Sequence, residues 1–141
     1  VSPRPRLDLL VNDFTFRAVR DRFIVLFESH FKRNYIHVND VSRAFLHCIK
    51  HFDTMKGQAY NIGLSDANLS KKELCLEIRK HVDKFEIIES DYAKDIDKRN
   101  YIVSNEKLEN TGFKPEVSLE MGIKELIKVY QILQNSRFSN V

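Results

Sequence analysis

Four stretches of this chain carry apolar residues at the i, i+3, i+4 spacing of a helix face, and the apolar runs between them are only three to five residues long. This alternation limits the fold more than any other feature. A 3.6-residue period cannot be laid down as a strand, and a short continuous apolar run cannot make a long helix. The first helical stretch, 7–18, places Leu7, Leu10, Val11, Phe14 and Ala18 on one side. In the second, Asn39 or Asp40 can cap a helix whose stripe is Val41, Ala44, Phe45, Cys48, Ile49 and Phe52. The third opens on a capping box, Ser70-Lys71-Lys72-Glu73, with Leu69 placed to staple onto Leu74 and with Ile78 and Val82 continuing the face. The fourth starts at Ser118 and turns Leu119, Ile123, Leu126, Ile127, Tyr130 and Leu133 inward. Strands are predicted at 23–27, 35–38, 59–63, 85–89 and 101–103, with a polar loop over 64–68. A brief helix over 105–111 is stopped by Gly112 and Pro115.

Helices mixed with strands in this order predict an α/β fold, a mixed α+β lobe. A chain of 141 residues with 43% hydrophobic content can bury one core, and no linker or repeat divides it. A single domain over 1–135 follows, with 136–141 as a tail that frays because its apolar repeat has ended. No apolar stretch is long enough for a membrane helix, and the first ten residues lack the basic-then-apolar layout of a signal peptide, so no membrane partner and a cytoplasmic setting are expected. Cys48 and Cys75 stand in helical patterns without metal-site spacing and read as buried thiols; no metal is expected. The net charge of +3 mixes 20 acidic with 23 basic residues, a balance that suits a small anionic ligand better than nucleic acid. The four glycines, at 57, 63, 112 and 122, form no G-x-G-x-x-G turn, so the chain has no dinucleotide-binding signature of its own.

Three stretches in order resemble the second half of the extended short-chain dehydrogenase/reductase family, the NAD-dependent sugar-nucleotide epimerases and dehydratases. Arg33 through Val41 is similar to the family's R-x-(Y/F)-(I/V)-H-V-x-D-(V/L) signature. Tyr60-Asn61-Ile62-Gly63 is similar to its Y-N-(I/V)-G strand end. Ser104 to Lys107, leading to Thr111-Gly112-Phe113-Lys114-Pro115, is similar to its S-K-x-x-x-x-L-G-W-x-P segment. The stretch 2–12 resembles the branch acting on GDP-linked heptose or related sugars in capsule polysaccharide synthesis. Phe27 and Ser29 stand where many members carry glycines, so the loop between the first strand and Arg33 is expected to be shaped differently.

The resemblance implies the C-terminal, substrate-binding portion of such an enzyme, with the Rossmann half outside this chain. NAD would be bound by that half and none by this chain, and a catalytic tyrosine-lysine pair would lie there too. The parent enzyme would oxidise or isomerise its sugar at C4 and form a homodimer, while this chain alone would be inactive. A diphosphate needs cations with planar or mobile donors, and an arginine can grip two of its oxygens at once. Arg33 is the first candidate. The second phosphate-binding arginine of relatives falls at Lys94 or at Arg99, and both stay open. Ser70 and Asn68 match a polar pair at a helix start, where free N–H groups attract an anion. Ile24 and Leu26 match positions that meet the nucleotide base. As ordinary protein residues, Arg33 would be a solvated surface arginine, Ser70 a cap, Ile24 and Leu26 core, and His37 and Asp40 turn-orienting groups. A reading in a different class is a stand-alone nucleotide- or protein-binding module without catalysis.

Overall fold

The computed structural model describes residues 6–92 and 99–132. The elements in order are α1 (Leu10–Arg20), β1 (Phe23–Leu26), β2 (Lys32–Asn34), α2 (Val38–Lys50), α3 (Phe52–Met55), β3 (Asn68–Ser70), α4 (Lys71–Arg79), β4 (Glu86–Glu89), α5 (Glu106–Glu109) and α6 (Leu119–Ile132). The mixed α/β lobe expected from the periodicities is what forms, and all four long helical stretches become helices.

Two small ladders organise the lobe. β1 and β4 pair in parallel, Phe23 opposite Glu86 through Leu26 opposite Glu89. β2 and β3 pair antiparallel, Lys32 opposite Ser70, Arg33 opposite Leu69 and Asn34 opposite Asn68. Along β1 the side chains alternate, so Ile24 and Leu26 enter the main core while Phe23 and Val25 face out. Against the inner face pack Phe14 and Ala18 of α1, Leu74, Cys75 and Ile78 of α4, and Ile123 and Ile127 of α6. A second core gathers Ala44, Met55, Leu108 and Phe113, with Cys48, Tyr60 and Ile62 against it.

The structure departs from the sequence reading where strands are shortest. The ladder expected over 35–38 forms three residues earlier, because Tyr35 exchanges its backbone hydrogen bonds with a turn: its N–H donates to Ala67 O (3.3 Å) and its C=O accepts from Leu64 N–H (3.1 Å). The partner strand β3 falls where the sequence suggested the end of a polar loop, since three residues are too few for an alternation signal. Among the described residues no ladder forms at 59–63 or at 101–103. At 101–103 the chain is held instead by Asn68, whose amide donates to Val103 O (3.0 Å) and accepts from Val103 N–H (2.9 Å). The cap of α2 is His37, with Nδ1 accepting from Asn39 N–H at 3.2 Å, rather than Asn39 or Asp40. Asp40 is buried and ties α2 to the segment before α6: its carboxylate accepts from Glu116 N–H (3.0 Å), Val117 N–H (2.9 Å) and Arg43 Nη1 (2.6 Å). The apolar stripe read for α2 splits, with Ala44 and Cys48 facing the second core and Phe45, Ile49 and Phe52 facing out.

The loop between β1 and β2 needs a left-handed residue and takes it at Glu28, φ +47°. A glycine would adopt that conformation without strain. The departure noted at Phe27 and Ser29 thus falls on either side of a backbone position that glycine suits.

Candidate ligand-binding site

Arg33 sits in the middle of β2, and the site around it is built from three pieces of chain. β3 flanks it on one side through the Arg33–Leu69 pairing. On the other runs the segment from 99, which Lys32 anchors by donating its N–H to Asn100 Oδ1 (2.9 Å) and accepting from Tyr101 N–H (3.3 Å). The Arg33 guanidinium lies 5.3 Å from the Tyr101 ring centre, and its Nη1 donates to Lys32 O at 2.8 Å. Only 5% of the residue is exposed, so it is not the solvated surface arginine that its type would suggest. A cation held in low dielectric over an aromatic face interacts with a neighbouring anion more strongly than the same charge in water.

Two residues on, the Tyr35 hydroxyl is buried and has no hydrogen-bond partner among the described residues. Burial pushes its phenol well above the ordinary tyrosine range, against the opposing pull of the Arg33 charge. Tyr35 also borders a cavity of about 310 Å³ between α1, α6 and the 35–38 segment. Its walls are mainly apolar, with Leu9, Val11, Ile36, Val38, Leu119 and Leu126 among them, relieved by Asn12 and Ser118, by Arg6, which pairs with Asp8, and by His37, whose Nε2 stands 3.3 Å from Glu125 Oε2. Such walls do not suit a doubly charged diphosphate.

The other sequence candidates fall into distinct places. Ser70 caps α4: its hydroxyl accepts from Glu73 N–H (3.1 Å) while Glu73 Oε2 accepts from Ser70 N–H (2.7 Å), completing the capping box. The next two amides are also taken, Lys71 N–H by Phe31 O (3.2 Å) and Lys72 N–H by Ser29 O (3.1 Å). The start of α4 therefore offers no open row of N–H groups to a phosphate in this conformation, which corrects the reason for choosing Ser70. Asn68 spends both ends of its amide on Val103. The side chains of Ile24 and Leu26 are core, so only the backbone of β1 is available to a base there. Arg99 is exposed and begins the segment that carries Tyr101 past Arg33. Lys94 lies outside the described residues, as does the tail 136–141. Among the described residues no cluster of His, Cys, Asp or Glu could hold a metal ion, and no helix is long and apolar enough to cross a membrane.

Sequence reasoning missed Tyr101 and Lys71. The first read as a strand residue. Lys71 enters the sequence reading only as a member of the capping box, yet it is buried, with Nζ donating to Phe27 O (2.9 Å) and lying 5.4 Å from the Phe31 ring centre. Nothing in the local sequence separates this lysine from Lys72, which stays at the surface.

No family model matches the chain. Solved structures resemble it over nearly its whole length. The protein RMD from Pseudomonas aeruginosa, complexed with NADPH, matches with a TM-score of 0.70 at 19% identity, over 94% of this chain and 46% of its own. UDP-glucose 4-epimerase from Thermotoga maritima, with UDP-glucose, gives 0.70 at 25% identity, over 90% and 40%. dTDP-glucose 4,6-dehydratase from Bacillus anthracis, in complex with NAD, gives 0.69 at 20% identity, over 99% and 43%. The chain thus has the fold of a part of sugar-nucleotide epimerases and dehydratases, and spans less than half the length of these proteins.

Proposed function

We propose that this chain is the C-terminal, sugar-nucleotide-binding part of an NAD-dependent epimerase or dehydratase, and that Arg33 holds the diphosphate. The observation that carries the reading is the Arg33 guanidinium, almost fully buried beside Tyr101 at the seam of β2 and the 99–103 segment. A buried, oriented arginine loses less freedom on gripping an anion than a mobile one, so more of its charge-assisted bonding appears as affinity. Arg99 or Lys94 closes on the second phosphate from the connecting loop. The base rests along the backbone of β1 at Ile24 and Leu26, and Ser70 and Asn68 act by holding β3 and the 101–103 segment in register beside Arg33.

The residues of this chain do not suit NAD. Its glycines form no phosphate-cradling turn, and the first-turn amides of α4 are already bonded within the chain. The dinucleotide, which supplies hydride transfer when bound, belongs to polypeptide outside this chain, as does the acid–base pair that acts on the sugar. What Arg33 contributes is register: grip on the unreacting diphosphate fixes where the sugar lies. A GDP-linked heptose or a related sugar is the proposed substrate, the complete enzyme is a homodimer working in the cytoplasm, and this chain by itself has no turnover.

Calorimetry of GDP-mannose, UDP-glucose and the free sugars against the complete enzyme tests the reading. Losing one charge-assisted pair costs about 1.5–3 kcal/mol, roughly a ten- to hundredfold weakening. Arg33→Ala is expected to show that loss for the nucleotide sugars and none for the free sugars, with Arg33→Lys between. Unchanged affinity in a folded Arg33→Ala protein removes Arg33 from the site.

A further inference from the structure

Both strands of the parallel ladder end at one place, and the polar side chains there form a fixed row. Glu89 closes β4 opposite Leu26, the last residue of β1. Its carboxylate accepts from the loop that leaves β1, through Ser29 Oγ at 2.5 Å on Oε2, and from the first turn of α4, through Lys72 Nζ at 2.5 Å on Oε1. Lys72 N–H also donates to Ser29 O (3.1 Å), so helix, loop and strand end hold one another. The bonds from Lys72 and then from Ser29 hold the Glu89 carboxyl below the usual glutamate range, which keeps it ionised at neutral pH. An isolated exposed ion pair is ordinary surface chemistry. This one differs in being fixed from three segments of chain, and in standing at the carboxyl ends of parallel strands, the side of an α/β sheet where ligands bind.

Taken from α4 toward the loop, the row presents a donor at Lys72 Nζ and then two acceptors at Glu89 Oε1 and Oε2. An ammonium has several N–H donors and a carboxylate oxygen about two acceptor sites; among the described residues each group spends one of these within the row, so each keeps capacity for a ligand. We propose that this row reads the base of the bound nucleotide and selects guanine. Guanine's pairing edge runs acceptor, donor, donor, through O6, N1–H and the N2 amine, and matches the row at every position. Uracil and thymine run acceptor, donor, acceptor, which sets a carbonyl oxygen against Glu89 Oε2. Adenine and cytosine each turn an amine toward Lys72, donor against donor. The inference rests on the reading of Arg33 as the grip on the diphosphate. Leu69 pairs with Arg33 and precedes Lys72 by three residues, so at most about 11 Å separates the Cα atoms of Leu69 and Lys72, a span that the ribose between base and diphosphate bridges.

Calorimetry of GDP, IDP, UDP and ADP against the complete enzyme tests this. GDP is expected to bind roughly tenfold or more tightly than IDP, whose hypoxanthine lacks only the N2 amine, and by a similar margin over UDP and ADP. Glu89→Gln turns the row into donor, acceptor, donor, because Lys72 keeps the amide oxygen and Ser29 Oγ accepts from the amide nitrogen; that is the match for uracil. The variant is expected to lose roughly tenfold for GDP and to gain about threefold for UDP, a reversal that loss of shape alone does not produce. Near-equal affinities for GDP and IDP in the parent overturn the proposal, as does an equal loss for all four ligands in Glu89→Gln. Arg33→Ala should weaken all four by one factor and leave their order intact, so the diphosphate reading is tested separately. If none of the four binds, both readings fall.

Discussion

Asp40 is the residue whose removal should be felt most, because one buried carboxylate joins the start of α2 to the chain entering α6. Its Oδ1 accepts from Glu116 N–H and Arg43 Nη1, and its Oδ2 from Val117 N–H, with none of the residue exposed. Asp40→Asn preserves the shape but turns one acceptor into a donor. If the amide oxygen keeps Glu116 and Arg43, the NH₂ faces the Val117 N–H, and that part-buried donor loses its acceptor at about 1–3 kcal/mol. Losing the charge assistance on the other two bonds adds roughly 1 kcal/mol, so about 3 kcal/mol in all, or roughly 10 °C in Tm for a lobe of this size. Urea unfolding followed by far-ultraviolet circular dichroism measures it. The acid limb gives a second readout. Burial pushes the Asp40 carboxyl up, but hydrogen bonds from Glu116, Val117 and Arg43 outweigh it and hold the pKa below the usual value. The stabilisation is therefore whole above about pH 4 and fades as the pH falls through the lower folded value. The variant should lose stability at pH 7 and converge on the parent in acid. A loss under about 1 kcal/mol at pH 7, or one that does not shrink in acid, refutes the account.

Three further outcomes follow from the same packing. Gly63→Ala should destabilise by roughly 2 kcal/mol in chemical unfolding, because a Cβ there would overlap the Asn34 side-chain amide and break its 2.7 Å bond to Leu64 O. An alkylating reagent at pH 8 should label Cys48 and spare Cys75 in the native protein: burial pushes the Cys75 thiol up to about 12, and mass spectrometry of digested protein reads both sites. His47 is held below its usual pKa, first by burial and then by the His51 charge. The fold thus favours the neutral ring, and its contribution is whole above about pH 6.5 and lost as the pH falls below that. His47→Gln should flatten the stability profile between pH 7 and 5 in thermal unfolding; an unaltered slope counts against it.

How much of this was legible in the sequence depends on range. The capping box at Ser70 and the four helical stretches are written within a turn or two of chain, and the structure forms a helix at each. The strand segments were legible as extended chain but not as ladders, because pairing depends on residues 36 and 63 positions away: Arg33 with Leu69, and Phe23 with Glu86. Periodicity identifies a face but not which neighbour covers it. The α2 stripe shows this well, since Ala44 and Phe45 belong to one apolar arc in the sequence and to opposite sides of the helix's surroundings in the fold.

The site shows the same division. Arg33 was visible only through its motif, and its burial comes from two remote pieces of chain that the motif does not mention. Tyr101 covers the guanidinium, and Asn68 holds the following residues in place by bonding both polar groups of Val103. It follows that Asn68 and Arg33, adjacent as candidates, should fail differently when changed. Asn68→Ala frees the 101–103 segment and should loosen the Tyr101 cover. Nucleotide-sugar affinity then falls because a preformed arginine has become a mobile one, while the charge itself remains. Raising the salt concentration separates the two: what affinity remains in Asn68→Ala should stay salt-sensitive, and in Arg33→Ala it should be less so. Equal salt dependence in the two variants would mean that the guanidinium never faced the anion.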